Sequence, residues 1–237
     1  IPKRDWSSDV CSSDLAVYST VNNWPSKRAY AAAGVLVTDI LAAAGVSDYA
    51  TINFASTDGY QCTLTYEQLN RPRWHYPGLL GDDVSGAIAV EPIVALEFRE
   101  DSWDLAEIRP DRPTLIFGMS NFQDHTNPLF IENLHQLTVS ATPPEQWPPV
   151  EIYPSSGPYR VGDTIKLQHA AFGQVKIFYT LDGSDPTPES AMYNPSTYQP
   201  ELNAPFTLEG DMLIKAVAIG PGRQDSEIAS FEIKIGE

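Results

Sequence analysis

Cysteine is scarce in this chain: Cys11 and Cys62 are the only two in 237 residues, too few for a disulfide framework or a cysteine-based metal cluster. Basic residues are scarce too, with 15 lysines and arginines against 31 aspartates and glutamates and a formal net charge of −16. So acidic a surface repels phosphate backbones and anionic lipid, which argues against nucleic-acid binding. The histidines, His75, His125, His135 and His169, are scattered and lack the His-Glu-x-x-His spacing of a zinc site. No apolar run approaches the roughly 20 residues of a membrane-spanning helix, so no membrane insertion is expected in this segment. Phosphate-binding loops and dinucleotide fingerprints are missing, since Gly81 and Gly86 are isolated loop glycines. Gly118-Met119-Ser120-Asn121-Phe122 lacks the second glycine of a nucleophile elbow.

Residues 5–15, Asp5-Trp6-Ser7-Ser8-Asp9-Val10-Cys11-Ser12-Ser13-Asp14-Leu15, are polar and without apolar period. They resemble the conceptual translation of a common sequencing adapter. Residues 1–15 are therefore set aside as an artefactual or disordered N-terminus, and the natural gene is expected to begin upstream. The remainder keeps a net charge of −15 and Cys62 as its one cysteine. A proline-dense stretch, Thr142-Pro143-Pro144-Glu145-Gln146-Trp147-Pro148-Pro149, marks an extended, semi-rigid linker over 143–149. It separates a first domain, 16–142, from a second, 150–237.

In the first domain, 16–21 reads as a strand ended by Asn22-Asn23-Trp24-Pro25. Apolar residues at helical spacing over 35–44, closed by Gly45, predict a helix packed on a sheet. Two alternating runs, 51–56 and 60–65, flank Thr57-Asp58-Gly59 and predict a hairpin. Thr65 and Gln68 have capping-box spacing, which starts a short helix at Tyr66 that Pro72 limits. The stretch 71–86 is irregular and rich in Pro, Gly, Trp, His and Tyr, and such long loops often carry function. Further strands are expected over 90–98, 114–117 and 134–139, with 100–113 an acidic connector. Trp24, Tyr30, Trp74, His75 and Tyr76 either form an aromatic platform for sugars or peptides or simply pack. Packing is the simpler reading.

In the second domain, short turn-separated strands are expected over 151–153, 164–169, 175–180, 204–208, 212–219 and 230–235, as in a sandwich. The expected core is Ile165, Leu167, Ile177, Tyr179, Ile214, Ala216, Phe231, Ile233 and Ile235. Asp182, Ser184, Asp185 and Glu189 gather oxygen ligands suited to calcium, though Asx-turn hydrogen bonding accounts for Asp182 and Asp185 without a metal.

Tyr179-Thr180-Leu181-Asp182-Gly183-Ser184-Asp185-Pro186-Thr187, with Ile214-Lys215-Ala216-Val217-Ala218 and Phe231-Glu232-Ile233, resembles the chitobiase/β-hexosaminidase C-terminal domain family over 150–235. That resemblance implies a small immunoglobulin-like β-sandwich, an accessory module of secreted enzymes and surface proteins. Tyr18-Ser19-Thr20-Val21-Asn22-Asn23-Trp24-Pro25, Gly34-Val35, Thr57-Asp58-Gly59-Tyr60 and Arg112-Pro113-Thr114-Leu115-Ile116-Phe117-Gly118 are similar to the sulfite-oxidase-type molybdopterin-binding domain over 16–140, more specifically in bacterial surface proteins that carry a chitobiase-type tail. The implied architecture is an α+β mixed, sulfite-oxidase-like domain followed by an all-β immunoglobulin-like sandwich, with the family's opening strands missing.

The same resemblance implies a cysteine thiolate holding molybdenum near Ser19 or Thr20, and neither is cysteine. Cys62 reads as a small buried apolar residue. The family's Lys-Trp pair, which helps hold the cofactor's phosphate, has Glu132-Asn133 as its counterpart, adding repulsion where neutralisation is needed. No cofactor and no catalytic or metal-binding residue is therefore expected. A ligand cleft of Tyr18, Asn22, Asn23 and Trp24 would remain where the cofactor sits in the catalytic relatives. The expected protein is a non-catalytic fragment of a secreted or cell-surface bacterial protein, extracellular or in the cell envelope, meeting a cell-wall polymer, glycan or protein. A molybdopterin-dependent oxidoreductase and a carbohydrate-binding accessory region of a glycoside hydrolase stay open as alternatives.

Overall fold

The computed structural model describes residues 13–22, 26–197 and 199–236. The chain divides into two compact units, Ile1–Pro143 and Pro144–Glu237. The first contains β1 (Ser13–Val21), β2 (Lys27–Leu36), α1 (Val37–Ala43), β3 (Thr51–Ser56), β4 (Gln61–Thr65), α2 (Tyr66–Asn70), β5 (Trp74–His75), β6 (Ile88–Ala89), β7 (Ile93–Glu100), β8 (Arg109–Ile116) and β9 (Leu134–Ser140). The strands form antiparallel sheets in the orders β1-β2-β7-β8, β4-β3-β9 and β5-β6.

The α+β, sulfite-oxidase-like architecture expected for 16–142 is overturned, because strand takes 42% of the protein and helix only 11%. Two segments explain the error. Val35 and Leu36, read as the start of a helix, pair instead with Val94 and Ile93 as the end of β2, which leaves α1 seven residues. Lys27–Leu36 is rich in alanine, the best helix former, yet lies as a strand between β1 and β7. Small side chains suit that central position: Ala29, Ala31 and Ala32 are fully buried. Gly34 lies where the β2–β7 register shifts, and a Cβ there would collide with the Val94 backbone carbonyl. The supposed connector 100–113 also contributes strand, since Arg109 and Pro110 pair with Phe98 and Glu97.

Local signals elsewhere match their elements. Thr65 Oγ1 accepts the Gln68 N–H at 3.2 Å while Gln68 Oε1 accepts the Thr65 N–H at 3.1 Å, completing the capping box of α2. The β3–β4 turn uses Gly59 at φ +92°. Ile52, Phe54, Leu64 and Leu69 then pack with α1 residues Val37 and Leu41 and with Leu115 and Phe117. A second cluster, around Tyr18, Tyr30, Ile93, Phe98 and Ile116, belongs to the four-stranded sheet.

The second unit is a β-sandwich. It consists of β10 (Glu151–Tyr153), β11 (Thr164–Gln168), β12 (Lys176–Thr180), β13 (Ala191–Tyr193), β14 (Phe206–Thr207), β15 (Met212–Ile219) and β16 (Ala229–Ile233), in sheets ordered β10-β11-β14 and β13-β12-β15-β16. Ile165, Ile177, Ile214 and Ala216 are fully buried, with Tyr179, Phe231 and Ile235 partly buried against them. Trp147, from the proline-dense stretch, belongs to this core and donates its indole N–H to the Gly220 carbonyl at 3.1 Å. Among the described residues no helix is long and apolar enough to cross a membrane.

Replacing Gly34 with alanine should destabilise the fold by about 1–3 kcal/mol, because the obstructing atom is backbone. Gly81→Ala, where an added Cβ meets nothing within 4 Å, should change stability by less than about 1 kcal/mol. Urea denaturation of the two variants beside the parent checks both.

Candidate functional site: a buried polar cluster at the end of β1

The last residues of β1 turn polar groups inward. Ser19 and Thr20 are 0% and 1% exposed, so each hydroxyl must find a protein partner. Ser19 Oγ lies 2.6 Å from His75 Nδ1, 3.0 Å from the Tyr76 N–H it accepts, and 3.2 Å from the Tyr76 carbonyl. With the proton on His75 Nε2, the Ser19 hydroxyl donates to Nδ1. With it on Nδ1, the imidazole donates to Oγ and the hydroxyl turns to the Tyr76 carbonyl. Either assignment gives the hydroxyl a donor and an acceptor contact inside the protein, and the second fills all three of its hydrogen-bonding sites. Thr126 Oγ1 and Thr20 Oγ1 share a hydrogen bond of 2.9 Å, both fully inside.

Beside this tie lies a buried charge. Arg73 is 6% exposed and donates from Nη1 to the Gly118 carbonyl at 3.0 Å and from Nη2 to the Gln68 carbonyl at 3.1 Å. Its guanidinium stands 4.9 Å over the Phe117 ring and 3.9 Å from the Asp124 carboxylate. Asp124 in turn accepts from Ser120 N–H at 2.8 Å and Ser120 Oγ at 2.6 Å. Ser120 therefore spends its hydroxyl on a carboxylate. Gly118 lets the chain pass close, since a Cβ there would strike the Val90 side chain and the Trp74 backbone.

The residues singled out from sequence fall in different places. Tyr18 is fully buried in the sheet's core, and its single hydroxyl proton has two acceptors in range, the Glu91 carbonyl at 3.0 Å and Asp14 Oδ2 at 3.3 Å. Burial, then the Asp14 carboxylate, push that phenol well above the usual tyrosine range. Asn22 shapes its own turn, accepting the Ser26 N–H at 2.9 Å and donating its backbone N–H to the Ser26 carbonyl at 3.2 Å. Asn23 and Trp24 lie outside the described residues. Of the aromatic set, Tyr76 packs edge-on against Phe122 at 5.2 Å and Tyr30 against Phe130 at 4.9 Å, with Trp74 partly buried in the first of these groups. Sequence reasoning missed the Ser19–His75 contact and the burial of Arg73. Nothing in the local pattern around Arg73 signals that it is buried.

The donor chemistry does not fit the molybdopterin group that the resemblance implies. The ligand position offers only hydroxyls already engaged. Cys62, in β4, is 8% exposed, and burial outweighs the field of Arg73 to push its thiol up to about 12, so it stays protonated near neutrality. Glu132, at the expected phosphate-binding position, pairs with Arg112 at 2.7 Å. In the second unit, Asp182 Oδ1 accepts from Ser184 N–H at 2.9 Å and Ser184 Oγ at 2.6 Å, and Asp185 meets Lys215 Nζ at 2.8 Å. Among the described residues no group of three or more His, Cys, Asp and Glu side chains gathers as a metal site.

Burial lowers the His75 pKa, so the folded state holds a neutral imidazole while the unfolded chain protonates near pH 6.5 or so. This contribution is intact above the unfolded pKa and is lost as pH falls from there through the lower folded value. Thermal denaturation across that acid range should show a steeper loss for the parent than for His75→Gln. Ser19→Ala, which strands the Tyr76 N–H, should cost about 1–3 kcal/mol at neutral pH in the same assay.

A family model described as Fn3 associated matches residues 165–233, from within β11 to the end of β16. The likeness covers most strands of the sandwich and nothing of the first unit. No curated protein matches the chain.

Proposed function

We propose that this chain is a non-catalytic segment of a secreted or cell-surface bacterial protein, its first unit a recognition or structural module and its sandwich a spacer or accessory module. The observation that carries this reading is the full burial of Ser19 among internal partners. Ser19 and its histidine are the arrangement in the first unit most like a nucleophile and its base, yet the hydroxyl is 0% exposed and bonded to His75 and Tyr76 inside the protein. A nucleophile or ligand must be able to reach substrate or metal, and a fully buried hydroxyl cannot.

The tail supports an extracellular setting. Fn3-associated domains are typical of extracellular proteins, and the turn over 179–187 resembles chitobiase-type accessory tails. Cell-wall polymers and glycans are the partners such a setting offers. An acidic surface with net charge −16 favours neutral or basic polymers over anionic ones.

Elemental analysis of purified protein, with pterin fluorescence, tests the catalytic side of the reading. Sub-stoichiometric molybdenum is expected both in the parent and in Ser19→Cys, and stoichiometric molybdenum in the parent would overturn the proposal. Co-sedimentation with insoluble chitin, a neutral glycan, should retain the parent chain. Recovery entirely in the supernatant would remove the recognition role.

A further inference from the structure

The first unit contains a pocket of about 560 Å³ bordered by the start of α1, the segment after α2 and the β6–β7 connection, and neither Ser19 nor His75 lines it. Its volume is within the usual range of small-molecule sites, about 300–1,000 Å³. Leu36, Val37, Leu69 and Val90 supply apolar wall, and Trp74 adds a half-buried indole. Two arginines line the same space. Arg71 is half-buried, and its side chain makes no hydrogen bond or ion pair with the described residues. Arg73 is buried, its Nε has no acceptor, and its nearest carboxylate is 3.9 Å away.

We infer that this pocket binds a small organic monocarboxylate with an apolar or aromatic body, its carboxylate taken by Arg71 and its body by the walls around Trp74. The inference goes beyond the proposed function, which concerns the end of β1. A guanidinium half out of water without a counter-ion loses solvation that a ligand carboxylate restores through charge-assisted hydrogen bonds. Arg73 strengthens the positive potential from behind, and its charge acts through a low-dielectric wall. Glu91 also lines the pocket, which sets the sign and number of charges tolerated. Arg73 already has Asp124 at 3.9 Å, so the guanidinium left for a ligand is that of Arg71, which suits a single carboxylate, whereas a dianion meets repulsion from Glu91 that grows with its charge. Asp14, a further lining residue, brings the lining to two arginines and two carboxylates, so recognition rests on the unpaired Arg71 and not on a surplus of positive charge.

Titration calorimetry on the full chain should show saturable binding of hydrocinnamate, with hydrocinnamyl alcohol at least about tenfold weaker. Arg71→Gln should bring the acid down to the level of the alcohol while leaving the thermal transition and alcohol binding unchanged, and Arg71→Lys should restore part of the difference. Three results would overturn the assignment. One is acid and alcohol binding equally, or the acid not binding at all. Another is full binding in Arg71→Gln. The last is phenyl phosphate binding more tightly than hydrocinnamate, which would make the site one for a dianion.

Discussion

One buried cation constrains the first unit more than any other group. Taking a guanidinium out of water costs several kcal/mol unless carbonyls and a counter-charge replace the lost hydration. Arg73 obtains these from two separate parts of the chain: the Gln68 carbonyl in α2, and the Gly118 carbonyl and Asp124 in the connection after β8. The capping box that starts α2 therefore does more than begin a helix, because it also sets where the Gln68 carbonyl points. Gly118 must be glycine for the two segments to approach. The Trp74–Met119 backbone pair, at 2.8 and 2.9 Å, closes the arrangement.

The consequences reach the end of β1. Once β5 is held against Met119, His75 follows in the chain and meets Ser19, and Tyr76 presents both its N–H and its carbonyl to the same hydroxyl. A hydroxyl with that many partners is a structural tie. Such ties are strong because water is excluded, and for the same reason they offer nothing to a substrate. The apolar shell of Val21, Tyr76, Leu79 and Met119 keeps the region dry. The pocket beside Arg71 is the contrasting case, with charge and apolar surface both accessible.

The sandwich follows simpler rules. Its inward positions alternate with exposed ones, as in β11, where Ile165 and Leu167 are buried between exposed neighbours. Each buried aliphatic side chain contributes roughly 1.5–3 kcal/mol, so a set of this size holds two sheets without a disulfide. Asp182 and Gly183, the latter at φ +84°, end β12 in a turn fastened by Ser184. The Arg223 guanidinium, 4.8 Å over the Trp147 ring, covers the edge of the core where the proline-dense stretch enters it.

Much of this was legible in the residues themselves, wherever the determining interaction is local. Period-two alternation gave the core of the sandwich, Thr65 and Gln68 gave the helix start, and Asp58-Gly59 gave the hairpin turn. The acidic surface follows from composition alone. Segments whose partner is remote were decided elsewhere. Residues 27–36 are rich in alanine and become a strand because β1 and β7 supply ladders on both sides, with small side chains at Ala29, Ala31, Ala32 and Gly34 where the strand is most enclosed. Ser19 and His75 stand 56 positions apart, and neither carries a local sign of the other. Sequence by itself determined the turns, the caps and the alternating faces, because those depend on neighbours a few residues away. Tertiary structure decided which polar groups are buried together, because desolvation and saturation depend on everything that packs around them.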